Sequence, residues 1–398
     1  MISKKMEELG KHSSVIRELF EYGNKRRAEI GKENVYDFSL GNPSIPSPQA
    51  VKDTMLKLLN EKDPVSLHGY TSAPGDYGVR STIASSIRDN YGIDARPERI
   101  YMTCGAAASL TVSLHALCNP GDEVIALAPF FPEYRVFVEK AGAALVMVPC
   151  REPDFQIDFA ALEPAVTAKT KAVIINSPNN PTGAVYSEET IRTLADLLNR
   201  KQKEFGTEIY LLTDEPYREL AFGGIEVPYV PCYYDNTLVC YSYSKSLSLP
   251  GERIGYIFVA PGVKDGGDVF AAVCGAGRAL GFVCAPSMLQ YTVGACNGMT
   301  SDVAAYERNR DILYGALTEI GYTITPPDGA FYLFVKALEP DAGAFSERAK
   351  KHELLLVPSD SFGYPGYVRI AYCVTEQMIR DSIPAFRAIY EEYAGERE

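Results

Sequence analysis

Six continuous apolar runs, most of them separated by helix-length segments, recur along the middle of the chain. They occupy residues 100–102, 124–127, 144–148, 172–175, 209–212 and 238–241. Short runs without polar positions are typical of strands in a parallel sheet, because helices cover such a sheet on both faces. The pattern therefore predicts an α/β fold whose large, mostly parallel sheet is flanked by helices.

The two ends of the chain follow other patterns. The first 30 residues have helical periodicity, and a strand-like stretch follows at 35–40. Prolines after Gly41 interrupt the pattern, which is typical of a crossing between two lobes. Beyond Pro286, helical segments are followed by strand-like runs at 331–335 and 367–372. We predict a large domain of residues 49–285 and a smaller α+β domain formed by residues 1–48 and 286–398.

Composition narrows the classes of function. The formal net charge is −12 over 398 residues, which disfavours binding to nucleic acid or to an anionic membrane. The most apolar later stretch, 269–286, is interrupted by an arginine, so we expect no membrane span. Nine cysteines without a C-x-x-C pair indicate reduced thiols and a cytoplasmic protein. The histidines at positions 12, 68, 115 and 352 lack ligand spacing, so we expect no metal site.

Polar or glycine-rich loops follow four of the apolar runs. Residues 105–107 open a helix after the first run, and Asn180, Asp214 and Lys245 follow three later runs. In an open α/β sheet, ligands bind beyond the carboxyl ends of the strands. We therefore expect these four loops to meet at one binding site.

The loop around Lys245 carries the most specific chemistry. The string Ser242-Tyr243-Ser244-Lys245 is followed eight residues later by Arg253. An amine and a fixed cation at this spacing suit a ligand with an aldehyde and a phosphate: the lysine can form a Schiff base, and Arg253 and Ser242 can hold the phosphate. As an isolated motif, the string equally fits a surface lysine beside an arginine. The pattern resembles the cofactor-lysine motif of class I pyridoxal-phosphate aminotransferases.

Two further motifs extend this resemblance. An Asn-Pro-Thr-Gly string begins at Asn180, and Asp214 and Tyr217 stand in a D-x-x-Y string. The resemblance implies that Asn180 binds the ring hydroxyl of the cofactor and the substrate carboxylate. It implies that Asp214 faces the pyridine nitrogen, since a protonated ring is the electron sink, and that Tyr217 bonds the ring oxygen. Taken singly, both strings are ordinary turn chemistry.

The cofactor's phosphate and ring have counterparts elsewhere in the sequence. Gly105, Ala106 and Ala107 resemble the family's phosphate loop, in which backbone N–H groups at a helix start bind the anion. Ala107 stands where relatives often carry a polar side chain, which puts a side-chain contact there in doubt. Phe131 resembles the aromatic residue that stacks on the ring. Tyr70 resembles the tyrosine that reaches the phosphate of a neighbouring subunit, which implies a homodimer with shared active sites.

The substrate-binding residues are also implied by the resemblance. Arg369 lies in a Tyr-Val-Arg-Ile strand whose arginine pairs with the substrate α-carboxylate, where its planar fork fits well. Gly41 and Asn180 complete the substrate site. Arg278 lies thirty-three residues past Lys245, where some relatives place an arginine of the partner subunit against a distal carboxylate. A structural ion pair at the dimer interface is the alternative explanation for Arg278.

These residues predict a fold-type I, aspartate-aminotransferase-like enzyme that uses pyridoxal phosphate, an amino acid and a 2-oxo acid in a ping-pong reaction. Lys245, Asp214 and Tyr217 would be its catalytic residues, with Lys245 moving the Cα proton. A pyridoxal-phosphate lyase that eliminates at Cβ needs the same residues and remains an alternative. A non-catalytic regulator would need a DNA-binding segment, which the acidic chain does not offer. The glycines at 275–281 do not match a dinucleotide motif, because the third one is a residue late.

Overall fold

The computed structural model describes residues 2–11 and 14–396, so His12 lies outside the described residues. The strands within these ranges are β1 (Tyr36–Asp37), β2 (Ile100–Thr103), β3 (Glu123–Ala128), β4 (Ala144–Pro149), β5 (Thr170–Asn176), β6 (Tyr210–Asp214), β7 (Thr237–Ser242), β8 (Gly255–Val259), β9 (Tyr332–Lys336), β10 (Leu354–Leu355), β11 (Val357–Pro358) and β12 (Tyr367–Ala371). The helices are α1 (Lys4–Lys11), α2 (Val15–Ile30), α3 (Gln49–Glu61), α4 (Pro64–His68), α5 (Tyr77–Tyr91), α6 (Ala106–Leu117), α7 (Glu133–Lys140), α8 (Phe159–Ala165), α9 (Glu188–Phe205), α10 (Tyr243–Ser246), α11 (Gly266–Leu280), α12 (Ser287–Ala295), α13 (Val303–Ile320), α14 (Ala342–Ala349) and α15 (Glu376–Gly395).

Seven strands form the large sheet in the order β2-β8-β7-β6-β5-β3-β4. All neighbours from β7 to β4 along this order are parallel. Each of the six predicted apolar runs falls within or overlaps one of these strands, and β5, β6 and β7 are almost wholly buried. The predicted α/β fold with a mostly parallel sheet flanked by helices is therefore confirmed.

Strand β8 is absent from the predicted set of strands. It pairs antiparallel with both β7 and β2, and all five of its residues are buried. The link from β7 to β8 holds only the short helix α10 and a turn, which is too short for a crossover helix. A strand that returns after so short a link must run antiparallel to its predecessor.

The smaller sheets join the two ends of the chain. Strand β1 pairs with β10 in parallel, at Tyr36 with Leu354. Beside them, β11, β12 and β9 form an antiparallel sheet with β12 in the centre. The carbonyl of Phe38 accepts a hydrogen bond from the N–H of Ala371 at 2.9 Å. The N-terminal segment thus packs with the C-terminal part, as the sequence predicts, although only two residues of the strand-like stretch 35–40 form a strand.

Local chemistry sets where the flanking helices begin and end. Helix α9 begins after Ser187, whose side chain accepts a hydrogen bond from the N–H of Thr190, and it ends at Gly206 in a left-handed conformation. Both features satisfy backbone groups that a helix end leaves free. Helix α12 packs against α3 and α5, and its Leu289 and Val293 belong to the core of the large sheet. Among the described residues, no helix is both long and apolar enough to cross a membrane.

Candidate active site

A pocket of about 250 Å³ lies beyond the carboxyl ends of the parallel strands. The loops that the sequence predicts to converge do meet here. The predicted site residues that line this pocket are Gly41, Ala106, Ala107, Phe131, Asn180, Asp214, Tyr217, Ser242, Lys245, Arg253 and Arg369. Gly105 lies behind the lining, whereas Tyr70 and Arg278 do not line the pocket of this chain.

Lys245 lies on α10, directly after β7, and its side chain enters the pocket. Its Nζ donates a hydrogen bond to the carbonyl of Gly41 at 2.6 Å and lies 5.2 Å from the ring centroid of Phe331. Burial lowers the pKa of Lys245 to about 8, and the nearby positive charges of Arg369 and Arg253 act in the same direction. A lowered pKa leaves a substantial neutral fraction of the amine near neutral pH, and a neutral amine is the nucleophilic and basic form.

Asp214 ends β6 and faces the pocket as a buried carboxylate. Its Oδ2 accepts a hydrogen bond from the hydroxyl of Tyr134 at 2.6 Å, whereas its Oδ1 is buried without a partner among the described residues. Burial raises the pKa of Asp214 to about 7, and the Tyr134 hydrogen bond opposes that rise. An acceptor left unpaired in a buried pocket is costly unless a ligand supplies the donor. The site therefore fits a ligand with a protonated ring nitrogen.

Arg369 lies in the central strand of its sheet and is only 2% exposed. Its Nη2 donates to the carbonyl of Ser39 at 2.5 Å and its Nη1 to Oδ1 of Asn180 at 3.1 Å. Its Nε is buried without a partner among the described residues. No carboxylate is hydrogen-bonded to this buried guanidinium among the described residues. Such a cation suits an anionic ligand in the pocket.

Asn180 and Asp214 are held in place by one side chain, Asn176. Its Oδ1 accepts a hydrogen bond from the N–H of Asn180 at 2.7 Å, and its Nδ2 donates to the carbonyl of Asp214 at 2.8 Å. The hydroxyl of Tyr217 pairs with that of Tyr332 at 2.8 Å. These contacts tie the loops after β5 and β6 to each other and to β9.

A second group of residues forms a cradle for an anion. Helix α6 begins after Gly105, whose φ is 87°. A Cβ at this position would stand 2.9 Å from Nη2 of Arg253, so a side chain there would both strain the backbone and press on the arginine. Ser242 Oγ accepts a hydrogen bond from the N–H of Ser244 at 3.2 Å. A helix N-terminus, a hydroxyl and a guanidinium together suit a phosphate.

Three predicted residues have no hydrogen-bonding role in the pocket of this chain. Phe131 lines the pocket and meets the ring of Tyr134 edge-on, with centroids 5.9 Å apart. Tyr70 is 98% exposed. Arg278 is exposed at the end of α11, and no carboxylate of the described residues pairs with it.

Several residues of the site were not predicted from the sequence. Tyr134 and Asn176 hold Asp214, and Tyr332 holds Tyr217. The remaining unpredicted residues that line the pocket are Ile16, Leu40, Leu110, Pro216, Ser244 and Pro250. Asn176 ends an apolar run, so its polar side chain at a strand end was an available signal. Tyr134 offered none, because its position on a helix face looks like ordinary core packing.

Comparison with known proteins agrees with this geometry. The family model for aminotransferase class I and II matches residues 33–386. The chain belongs to this family. It is 29% identical to the probable aspartate aminotransferase of Methanocaldococcus jannaschii, over 95% of this chain and 97% of that protein. It is 28% identical to the aspartate aminotransferase of Thermotoga maritima, over 96% of this chain and 97% of that protein.

Solved structures of the family have the same fold. An amino transferase from Eubacterium rectale is 58% identical, with a TM-score of 0.97 and 99% of each chain covered. The Thermus thermophilus aspartate aminotransferase with maleate is 26% identical, with a TM-score of 0.85 and coverage of 98% of this chain and 99% of that chain. The predicted fold-type I architecture and aminotransferase activity are thereby confirmed, and pyridoxal phosphate is the cofactor of these enzymes.

The residues present fit this cofactor. The unpaired Oδ1 of Asp214 offers an acceptor to a ring N–H. The absence of a side chain at Gly105 leaves the space in front of Arg253 open to a phosphate. Lys245 supplies an amine of lowered pKa in the same pocket.

Proposed function

We propose that this enzyme transfers the amino group of an L-amino acid of the aspartate type to a 2-oxo acid, with Lys245, Asp214 and Tyr217 as its catalytic residues. The observation that carries the proposal is their arrangement: one pocket holds an amine of lowered pKa, an unpaired buried carboxylate oxygen and a buried guanidinium. When bound, pyridoxal phosphate supplies an electron sink for the negative charge that develops at the substrate Cα.

Lys245 acts as the base at the substrate Cα. A pKa of about 8 matches a general base to neutral or slightly alkaline pH, where proton transfer is most efficient. In the cofactor-free protein, its hydrogen bond to the carbonyl of Gly41 holds the amine in the pocket. Both the covalent attachment of the cofactor and the proton transfer then depend on one side chain.

Asp214 and Tyr217 would hold the ring of the cofactor. The carboxylate of Asp214 keeps the ring nitrogen protonated, and the hydrogen bond from Tyr134 keeps that carboxylate charged and fixed. Tyr217 donates to the ring oxygen, supported by Tyr332. Asn180 and Phe131 line the same pocket, where Asn180 would bind the ring hydroxyl and Phe131 would stack on the ring.

Arg369 receives the α-carboxylate of the substrate. Its guanidinium has five N–H groups, of which Ser39 and Asn180 accept two, and its Nε has no partner among the described residues. Because these two contacts fix the orientation of the fork, a carboxylate can bind without reordering the side chain. Gly41 lies beside this position.

The phosphate binds between the start of α6 and Arg253, with Ser242 as a further donor. Backbone N–H groups of Ala106 and Ala107 lie at that helix start, so Ala107 needs no polar side chain. Tyr70 of a second copy completes the cradle in a homodimer. Its exposure of 98%, together with 80% for Val65, supports burial of this segment against another molecule.

The proposed preference for aspartate-type donors requires a cation from the second subunit. The charged residues that line the pocket are Asp214, Lys245, Arg253 and Arg369, and each already has a role. None is left for the second carboxylate of aspartate. Arg278 of the second copy is our candidate, since it is exposed and unpaired among the described residues. The names of the relatives support the same donor class.

We also propose a cellular location and a division of the chain into two domains. We place the protein in the cytoplasm, which the free state of all nine cysteines supports. We retain a large domain of residues 49–285 and a small domain of residues 1–48 and 286–398. Helix α12, which follows the second of these boundaries, packs in the core of the large sheet.

A panel of amino donors assayed with 2-oxoglutarate as acceptor tests the proposal. We expect turnover that requires the 2-oxo acid and is fastest with aspartate or glutamate. Release of ammonia and pyruvate without a 2-oxo acid would contradict it and indicate elimination. Fast turnover confined to alanine or aromatic donors would remove the preference for aspartate and leave the transamination intact.

A further inference from the structure

A second, larger cavity of about 770 Å³ lies behind the segments that form the Lys245 pocket. None of the described residues lines both cavities. Two segments contribute residues to both cavities: Asp214, Pro216, Tyr217, Ser242 and Ser244 line the Lys245 pocket, whereas Glu215, Arg218, Glu219, Tyr241 and Tyr243 line the second cavity. Within β7, the alternation of Tyr241 and Ser242 arises because neighbouring side chains of a strand point in opposite directions.

The lining of the second cavity is acidic. Its charged residues are one cation, Arg218, and four carboxylates, Glu188, Glu215, Glu219 and Glu226. All three nitrogens of Arg218 already have hydrogen-bond partners. Its Nε donates to Glu215 at 2.5 Å, and its other two nitrogens donate to the carbonyls of Val227 and Pro228. An anion would therefore find no free positive partner here, whereas a cation would.

Two buried polar groups of this lining have no partner among the described residues. Oε1 of Glu219 accepts a hydrogen bond from Tyr241 at 2.7 Å, but its Oε2 is buried without a donor. The hydroxyl of Tyr229 is also unpaired, on a side chain only 5% exposed. Buried polar atoms in native proteins nearly always find a partner. Oδ1 of Asp214, in the Lys245 pocket, is likewise buried without a partner among the described residues.

Aromatic rings form much of the remaining wall. Tyr91 and Tyr229 stack with centroids 3.9 Å apart, and Tyr241 stacks on Tyr256 at 4.9 Å. The guanidinium of Arg218 lies 4.9 Å from the centroid of Tyr229, so these rings already contact one cation. Ring faces carry negative electrostatic potential and attract organic cations.

We propose that this cavity binds a small organic cation, a guanidinium or ammonium compound with a flat apolar body. Its N–H groups would donate to Oε2 of Glu219, its body would lie against the tyrosine rings, and the hydroxyl of Tyr229 would bond to a polar atom of the ligand. Burial holds the pKa of Glu219 above its usual range, and a bound cation would stabilise its charged form. The site is separate from the proposed catalytic residues and independent of their roles.

Benzamidine is a suitable probe, because it is a flat cation that lacks the primary amine needed to react with pyridoxal phosphate. We would titrate it into the holoenzyme by calorimetry with saturating 2-oxoglutarate, which occupies the Lys245 pocket. We expect one molecule bound per chain at millimolar or lower concentration. Neutral benzamide and anionic benzoate should bind more weakly, by about tenfold or more. Only the cation can form charge-assisted hydrogen bonds with Glu219, and these are the stronger ones.

Three variants locate the binding. Glu219→Gln should weaken benzamidine binding about tenfold, and Tyr229→Phe about fivefold, since it removes a neutral hydrogen bond. Glu226→Gln is the matched control: it removes the same charge from an exposed position of the same cavity, and its effect should stay within about threefold. The melting temperature and cofactor absorbance of each variant should match the wild type, and Tyr229→Phe carries the test if Glu219→Gln does not fold.

The proposal fails if benzamidine does not bind at millimolar concentration, or if benzamide binds equally well. It also fails if Glu226→Gln has as large an effect as Glu219→Gln, since general acidity would then explain the binding. Displacement of benzamidine by 2-oxoglutarate would place it in the Lys245 pocket and overturn the second site.

Discussion

Asp214 should make the cofactor-free protein lose stability as the pH rises. The carboxyl is buried, and burial raises its pKa to about 7, whereas an unfolded chain leaves it near 3.8. Between these values the folded state binds a proton that the unfolded state has released. The free energy of unfolding therefore falls with pH across this window and becomes flat above about pH 7. Asp214→Asn keeps the shape of the side chain and removes the titration.

The size of the effect follows from the shift. A difference of about three pKa units corresponds to about 4 kcal/mol, at about 1.4 kcal/mol per unit. Part of this loss has occurred by pH 5, because the unfolded carboxyl is already mostly ionised there. About 2–3 kcal/mol remains to be lost between pH 5 and pH 8. Tyr134→Phe should steepen the loss, since Tyr134 donates a hydrogen bond to the charged carboxylate and holds its pKa down.

Urea unfolding of the cofactor-free protein at pH 5 and pH 8 measures this loss in the free energy of unfolding. The comparison of interest is the difference in pH dependence between the wild type and Asp214→Asn, because other buried groups titrate equally in both. We expect the wild type to lose about 2–3 kcal/mol more than the variant over this interval. Equal pH dependence in the two proteins would refute the reasoning and show that Asp214 is charged in the folded protein well below pH 7.

Four other substitutions test the proposed roles. Lys245→Ala should cut turnover by several orders of magnitude, each worth about 1.4 kcal/mol of barrier, and near wild-type transamination would remove the lysine from both roles. Arg369→Lys keeps the charge but loses the planar fork, so KM should rise for every amino donor alike. A loss confined to dicarboxylic donors would show that Arg369 binds the side-chain carboxylate of the substrate instead. Tyr70→Phe should weaken cofactor retention by roughly 1.5–3 kcal/mol, and a fully active monomer in sedimentation would refute the shared site. Arg278→Leu should raise KM for aspartate and glutamate more than about tenfold while sparing alanine, and an equal loss for all donors would make Arg278 structural.

Most of the large sheet was predictable because its strands are buried on both faces. Such strands have no polar positions, so runs such as 172–175 and 238–241 are visible without any partner information. The convergence of Asn180, Asp214 and Lys245 followed from one rule, that the carboxyl ends of parallel strands share an edge. Strand β8 was not predicted, because Gly255–Val259 follows β7 after a short link and not after a helix-length segment.

The hydrogen bonds that hold the side chains of the site in place could not be predicted, because they join residues that are distant in the sequence. Tyr134 and Asp214 are 80 positions apart, and Arg369 meets the carbonyl of Ser39 across 330 positions. No periodicity in the chain specifies which tyrosine will reach a given carboxylate. The burial of Arg369 has the same origin, since a guanidinium is stable inside a protein only where acceptors from other segments surround it.

The alternation that separates the two cavities also separates their charges. Three cations and one carboxylate line the Lys245 pocket, whereas one cation and four carboxylates line the cavity behind it. An acidic chain of net charge −12 can thus keep a positive pocket for a phosphate and a carboxylate, because neighbouring positions along the same segments face opposite sides. Glu215 illustrates the consequence. It directly follows Asp214, and its carboxylate pairs with Arg218 and accepts a hydrogen bond from the hydroxyl of Thr213. Its charge still contributes to the raised pKa of Asp214.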